Sequence, residues 1–295
     1  MKILLTGATG LVGRALIPRL IRDHQIIALT RNPTQAQAKL PAGVGLIDTL
    51  DQFRDLNAFD AVINLAGEPI FRRRWTAQQK NRLLYSRVNL TEKLTALINR
   101  SSHPPHSFIS GSAAGYYGDQ GEAAISEDSM PGTTFPARLC QQWEAAALGA
   151  ETRVCLLRTG IVLAPNGGAL AQILPLYRLG LGGKLGSGRQ YWGWIALPDM
   201  VNAIVFLLHN PSCRGAFNLS APNPARNGDF NQALGSLLNR PHFVNVPALM
   251  LKLVFGERAQ LLLDSQKIQP AKLLQAGFCF QYPAIKPALA QCLSS

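Results

Sequence analysis

The sequence predicts an α/β protein, a doubly wound parallel sheet with a smaller C-terminal α/β lobe. Three observations carry this. Short apolar runs alternate with helical patterns over the first 160 residues. The runs are continuously apolar rather than alternating, the mark of strands covered on both faces. The first run ends in a glycine turn that opens a helix.

Lys2–Thr6 is the first strand. Residues 11–22 form a helix, with Leu11, Ala15, Ile17, Leu20 and Ile21 on its apolar side. Strands follow at 25–30, 44–47 and 60–66, then a long helical pattern at 75–100. A fifth strand covers 107–112, a helix 138–148 and a sixth strand 154–159. Past residue 160 the pattern turns glycine-rich, at Gly167-Gly168 and across 180–188. Asp199 reads as the N-cap of a helix at 200–209, and 227–239 and 247–255 read as further helices. Residues 1–160 are therefore the nucleotide-binding domain, with segments at about 190–220 returning to it. Residues 161–295 are the substrate lobe, including a helical domain at about 245–293.

The chain of 295 residues is 47% hydrophobic and 16% charged, which excludes disorder and suffices for a large core. No apolar window is long enough to span a bilayer, so no membrane association is expected. Met1 to Gly7 enters the glycine turn directly, without the apolar stretch of a signal peptide. Cys140, Cys155, Cys213, Cys279 and Cys292 are dispersed and odd in number. They read as buried small side chains of a cytoplasmic protein rather than a disulfide or zinc framework. His24, His103, His106, His209 and His242 show no ligand spacing, so no metal is expected. The net charge is +12, concentrated after residue 151, where 13 basic side chains face 4 acidic ones. Such a field attracts phosphates. No helix carries a Lys/Arg stripe, so the expected partner is a small anionic molecule rather than nucleic acid. A homodimer could form.

Thr6-Gly7-Ala8-Thr9-Gly10-Leu11-Val12-Gly13 joins the first strand to the first helix. Gly7 permits the tight turn, Gly10 lets the backbone approach a pyrophosphate, and Gly13 lets helix and strand pack closely. The helix N-terminus, through Thr9, Leu11 and Val12, offers N–H groups to the phosphates. This is the Rossmann-type arrangement. Arg31 stands at the end of the second strand, where an NAD site usually has Asp or Glu. An arginine there suits a 2′-phosphate, with Thr30 beside it and Arg14 as a second cation. The expected cofactor is NADP(H).

These residues resemble the short-chain dehydrogenase/reductase superfamily in its extended, epimerase-like form. Asn64-Leu65-Ala66-Gly67 is similar to the turn after the fourth strand that meets the adenosine side of the cofactor. The similarity sharpens at Trp75, Ser86-Arg87, the stretch 111–119, Trp143-Glu144, Leu157-Arg158-Thr159-Gly160 and Gly186-Ser187-Gly188-Arg189-Gln190. Together these resemble the YfcH-type epimerase-like subgroup. Pro270, Leu273, Gly277, Phe278 and Phe280 resemble its C-terminal domain of unknown function. The resemblance implies cofactor contacts from Leu65, Ala66, Gly67 and Val162; Arg87 stands where many relatives carry a helix asparagine, and is expected to contact the cofactor phosphates or ribose instead.

The resemblance also implies a Tyr-x-x-x-Lys pair on the helix after the fifth strand, and this chain lacks it. Thr134 stands in the tyrosine's place and Arg138 in the lysine's. A threonine hydroxyl is a poor acid, and an arginine holds its proton. Tyr282 and Lys286 have the same spacing but flank Pro283 near the C-terminus, and read as coincidence. The candidate catalytic residues are Ser112, Tyr116, Tyr117 and Arg138, with Arg189 anchoring an anionic group of the substrate. Aligning on Tyr117-Gly118-Asp119 would put Ala113 rather than Ser112 in the substrate-positioning place. The acidic residues Asp119, Glu122, Glu127 and Asp128 show no pair that sequence can assign a role.

The expectation is an NADP(H)-dependent oxidoreductase or nucleotide-sugar-epimerase-like protein acting on a small substrate. The alternative is a catalytically weak or inactive NADP(H)-binding regulatory or redox-sensing protein. Resemblance to relatives in cyanobacteria and plastids links that alternative to division.

Overall fold

The apolar runs at the head of the chain become the centre of the computed structural model, which describes residues 1–294. β1 (Lys2–Thr6), α1 (Leu11–Leu20), β2 (Gln25–Leu29), α2 (Pro33–Gln37), β3 (Gly45–Ile47) and β4 (Ala61–Asn64) come first. α3 (Ala77–Leu84) and α4 (Leu90–Asn99) follow, joined by one π-helical turn, Tyr85–Asn89. β5 (Ser107–Ala113), the short β6 (Ala124–Ile125), α5 (Phe135–Leu148), β7 (Arg153–Thr159) and β8 (Ile161–Leu163) complete the first half. The second half holds α6 (Gly168–Arg178), β9 (Tyr191–Trp192), β10 (Trp194–Ala196), α7 (Leu197–His209), β11 (Gly215–Leu219) and β12 (Ala225–Arg226). It ends with α8 (Asn227–Leu238), α9 (Ala248–Phe255), α10 (Gln260–Leu263), β13 (Lys267–Ile268), α11 (Ala271–Gln275) and α12 (Ile285–Ser294).

Seven strands pair in the order β11-β7-β5-β4-β1-β2-β3, every neighbouring pair parallel. The winding reverses between β1 and β4, which opens the crevice where such sheets bind ligands. Alternate residues of one strand serve opposite faces. Ile3 and Leu5 pack with Leu16, Ile17 and Ile204 beneath α1 and α7. Leu4 packs with Val62, Phe108, Leu94 and Ala147 beneath α4 and α5. Covering both faces is why these strands carry no polar alternation.

The structure departs from the sequence reading in identifiable places. The sheet has a seventh strand, β11, whose Gly215-Ala-Phe-Asn-Leu run has weak strand propensity. Burial overrides that, because the Asn218 amide donates to the Gln269 carbonyl at 2.9 Å and accepts from the Tyr117 hydroxyl at 2.6 Å. α6 forms despite Pro175 in its interior. α5 begins three residues before the predicted start, with Pro136 in its first turn, where a missing N–H costs nothing. Asp199 is not an N-cap. α7 starts at Leu197, and the fully buried Asp199 carboxylate accepts N–H bonds from Gln281 (2.8 Å) and Tyr282 (2.9 Å) of the C-terminal segment. Four cysteines are buried as expected, but Cys279 is exposed.

The C-terminal segment is sewn to the sheet domain. β13 pairs with β6 in parallel. Arg258 donates to the Phe71 carbonyl at 2.8 Å, and Lys80 meets Glu257 at 2.6 Å. Among the described residues, no helix is long and apolar enough to cross a membrane.

Candidate functional site

Gly7 has φ +74°, a conformation that favours glycine. A Cβ there would stand 2.5 Å from the Leu65 carbonyl carbon, so this glycine also lets the turns after β1 and β4 touch. At Gly13 a Cβ would come within 2.3 Å of the Gly7 carbonyl oxygen. Gly10 is the N-cap of α1 and has no side chain to cap it, so the N–H groups of the first turn are left for a ligand. Thr9 and Gly10 are exposed, and Leu11 and Val12 half-buried.

Beneath this turn Asn64 is buried. It accepts from the Thr6 hydroxyl at 2.6 Å and donates to Thr91 at 2.8 Å, while the Ala66 N–H donates to Thr6 at 3.2 Å. The asparagine thus locks β1, β4 and α4 together and turns the Leu65–Ala66–Gly67 backbone outward. Arg87 reaches this loop from the π-helical turn and donates to the Glu68 carbonyl at 2.9 Å. A Cβ on Gly67 would lie 3.0 Å from its guanidinium carbon. No carboxylate among the described residues pairs with Arg87, and desolvation lowers its pKa. A desolvated cation with only neutral acceptors suits an anionic ligand.

Arg31 and Arg14 are exposed and form no salt bridge among the described residues. Thr30, beside Arg31, is half-buried. Val162 lies on β8 opposite Ile195. The loop after β8 doubles back so that Gly167 and Gly168 pack on the Leu11 side chain. The structure therefore gathers the Gly7–Gly13 turn, the Leu65–Gly67 turn and Arg87 around one crevice, and ties the segment after Val162 to the same helix start.

The candidate catalytic residues separate into two groups. Ser112 is buried, and its hydroxyl donates to Glu144 Oε1 at 2.6 Å. Arg158 grips the same carboxylate through two bonds, Nε to Oε1 and Nη2 to Oε2, both 2.8 Å. Its Nη1 donates to the Tyr117 hydroxyl at 3.0 Å and to the Glu127 carbonyl at 2.9 Å. Tyr117 is fully buried, and burial pushes its phenol up to about 12. The Tyr117 hydroxyl is committed to Asn218 and Arg158. Ser112 is likewise committed, to Glu144. Tyr116 differs. It is half-buried, its ring lies 3.6 Å from the Arg158 guanidinium, and its hydroxyl bonds to no other described residue.

Arg138 points outward from α5 and is exposed, without a partner among the described residues. Arg189 is exposed too. Its carbonyl accepts from Arg226, which is paired with Glu122, so Arg189 sits on an ordered turn, and its side chain has no partner among the described residues. Thr134 is the residue before α5, and its hydroxyl oxygen is buried without a partner. It lines a cavity of about 770 Å³ whose other walls include Asp119, Ser187, Gln190, Lys252 and Asp264. Arg138 and Arg189 do not line it. The sequence did not reveal Glu144 as the partner of Ser112, or Arg158 as the partner of Glu144, although both lie in singled-out motifs. It also missed Asp264, which no motif marks.

The NAD dependent epimerase/dehydratase family model matches residues 3–220, and the domain of unknown function DUF1731 matches residues 246–292. The chain belongs to the NAD dependent epimerase/dehydratase family. An epimerase family protein SDR39U1 homolog, chloroplastic, from Arabidopsis thaliana is 40% identical over 98% of this chain and 86% of its own length. An epimerase family protein of Mycobacterium leprae is 38% identical over 98% of this chain and 94% of its own. The crystal structure of human epimerase family protein SDR39U1 (isoform 2) with NADPH superposes with TM-score 0.90 at 34% identity, covering 100% and 99% of the two chains. The epimerase-family fold and the DUF1731 segment agree with the resemblance read from the motifs.

Proposed function

We propose that this protein is an NADP(H)-dependent oxidoreductase or epimerase-like enzyme acting on a small molecule. The observation that carries the reading is the pairing of an uncapped glycine-turn helix start with two exposed arginines, Arg14 and Arg31, that form no salt bridge among the described residues. The turn suits a pyrophosphate, and Arg31 in place of an acid suits a 2′-phosphate. The NADPH in the similar human structure supports the same choice. NADP(H), when bound, supplies or accepts a hydride at its nicotinamide ring.

The chain's own residues do the rest. Gly7 and Gly10 admit the phosphates to the helix start, and Thr30 flanks Arg31 at the adenosine end. Gly67 and Arg87 form one wall, where the desolvated guanidinium meets anionic or ribose oxygens. Val162 lies on the wall reached through the segment packed on Leu11. Tyr116, held against Arg158, presents a free hydroxyl to a substrate, and Arg189 offers a cation at the mouth.

The buried commitment of Ser112 and Tyr117 favours a second reading, an NADP(H)-binding sensor with little turnover. Stopped-flow mixing of the NADPH-loaded protein with a panel of aldehydes, ketones and nucleotide sugars separates the two. Oxidation above the rate of free NADPH supports the enzyme. A cofactor that stays reduced across the panel supports the sensor.

A further inference from the structure

We propose that the C-terminal domain of unknown function supplies the proton-transfer group that the start of α5 lacks. Asp264, beside Asp119 in the cavity shared by the two domains, exchanges a proton with the reacting oxygen of the substrate. The proposal rests on the NADP(H)-dependent reading above.

The geometry begins with the cavity. At about 770 Å³ it has the size of a small-molecule site. One wall is Thr134, the position at which the resemblance expects the acidic tyrosine. Thr134 leads directly into α5, and Cys140 and Glu144 of that helix flank Ser112. Its hydroxyl oxygen is buried and bonds to nothing among the described residues. A threonine can orient a ligand oxygen but cannot supply a proton near neutral pH.

The same lining carries the acid. Asp264 ends α10 in extended backbone. It is half-buried, and its carboxylate makes no hydrogen bond or ion pair among the described residues. The next residue fixes it against the sheet domain. The Ser265 N–H donates to Asp119 Oδ1 at 3.0 Å, its hydroxyl donates to the Gly121 carbonyl, and its own carbonyl accepts from the Gln120 N–H at 3.0 Å. Asp119 and Asp264 therefore face one cavity on a braced joint. The other charged groups lining it are Lys252 and Glu257, and Lys80 neutralises Glu257 at 2.6 Å.

Burial and the Asp119 charge push the Asp264 carboxyl up to about 6. A carboxyl in that range holds both protonation states near neutral pH, as a general acid–base must. In the oxidative direction the substrate O–H bond breaks and its proton passes to the Asp264 carboxylate. The O–H electrons form the carbonyl π bond, and the C–H pair leaves as hydride to NADP⁺, the oxidant. Reduction of a carbonyl runs the same exchange backwards, starting from protonated Asp264 and NADPH.

Two measurements on the full-length protein decide the matter. The first is carboxyl titration by NMR with ¹³C-labelled aspartate, without cofactor, in wild type, Asp264→Asn and Asp119→Asn. One resonance absent from Asp264→Asn should titrate near pH 6, and Asp119→Asn should move it toward the ordinary carboxylate range. The second is NADPH oxidation by a panel of small aldehydes and ketones. The wild-type rate should fall as pH rises through about 6. Asp264→Asn should lose on the order of 100-fold or more with NADPH affinity unchanged, as general acid–base steps supply, and Asp264→Glu should restore part of it. Oxidation that survives Asp264→Asn with its pH profile intact overturns this proposal alone, as does an Asp264 carboxyl that titrates like an exposed one. No oxidation by wild type overturns it together with the reading on which it rests.

Discussion

At the scale of single residues, the site is governed by which charges are paired. Arg31 has no ion-pair partner among the described residues, so its removal costs the fold little and the ligand much. Arg31→Ala should weaken NADPH binding by on the order of 2–3 kcal/mol while barely touching NADH, read by fluorescence titration of both. Equal weakening of both cofactors would remove Arg31 from the 2′-phosphate site. Glu144 is the opposite case. It is buried with Arg158, their side chains 7% and 6% exposed. Glu144→Ala would strand a buried guanidinium and release Ser112, costing about 3–5 kcal/mol in urea unfolding. Asp264 sets a pH dependence. Its folded carboxyl sits above the usual range, at about 6, so the folded state binds more protons than the unfolded state between about pH 4 and 6. Stability is therefore lost as pH rises through that window. Asp264→Asn should melt higher than wild type above pH 6 by calorimetry, with the gap closing toward pH 4. Glycines and cations were legible at this scale because each type has few reasons to stand where it does. The hydrogen-bond partners of Tyr117 and Ser112 were not legible, because Asn218, Arg158 and Glu144 lie far away in the chain.

At the scale of elements, the strands β1, β2, β4, β5 and β7 were readable because their apolar residues feed the cores on the two faces of the sheet. β11 was not, because its Asn218 is tolerated only through partners from distant segments. The long helical pattern from 75 to 100 is two helices, and the π-helical turn between them places Arg87 against Gly67. Hydrophobic periodicity cannot register one extra residue per turn, so that functional break was invisible. Gly111 makes the packing of α5 checkable. A Cβ there would stand 2.7 Å from the Trp143 indole, whose N–H donates to Thr91 at 3.0 Å. Gly111→Ala should displace the indole, seen as a shifted tryptophan emission with a lower melting temperature.

At the scale of the whole molecule, the two family segments act as one body. β13 adds to β6, Asp199 holds the C-terminal segment, and Arg258 and Lys80 cross between segments. Circular dichroism and tryptophan fluorescence should therefore report one coincident unfolding transition. The joint also explains why the cavity was unreadable from sequence: its walls come from four segments spread between Asp119 and Asp264. The net charge of +12 adds a long-range field that favours a phosphate-rich ligand and weakens with salt.

The crevice beside β1 and β2 is built for NADP(H). Fluorescence titration of the purified protein with NADPH and with NADH tests it most directly. NADPH should bind saturably and at least tenfold tighter than NADH, with the gap narrowing as ionic strength rises. Equal affinity for the two, or no binding of either, would contradict it.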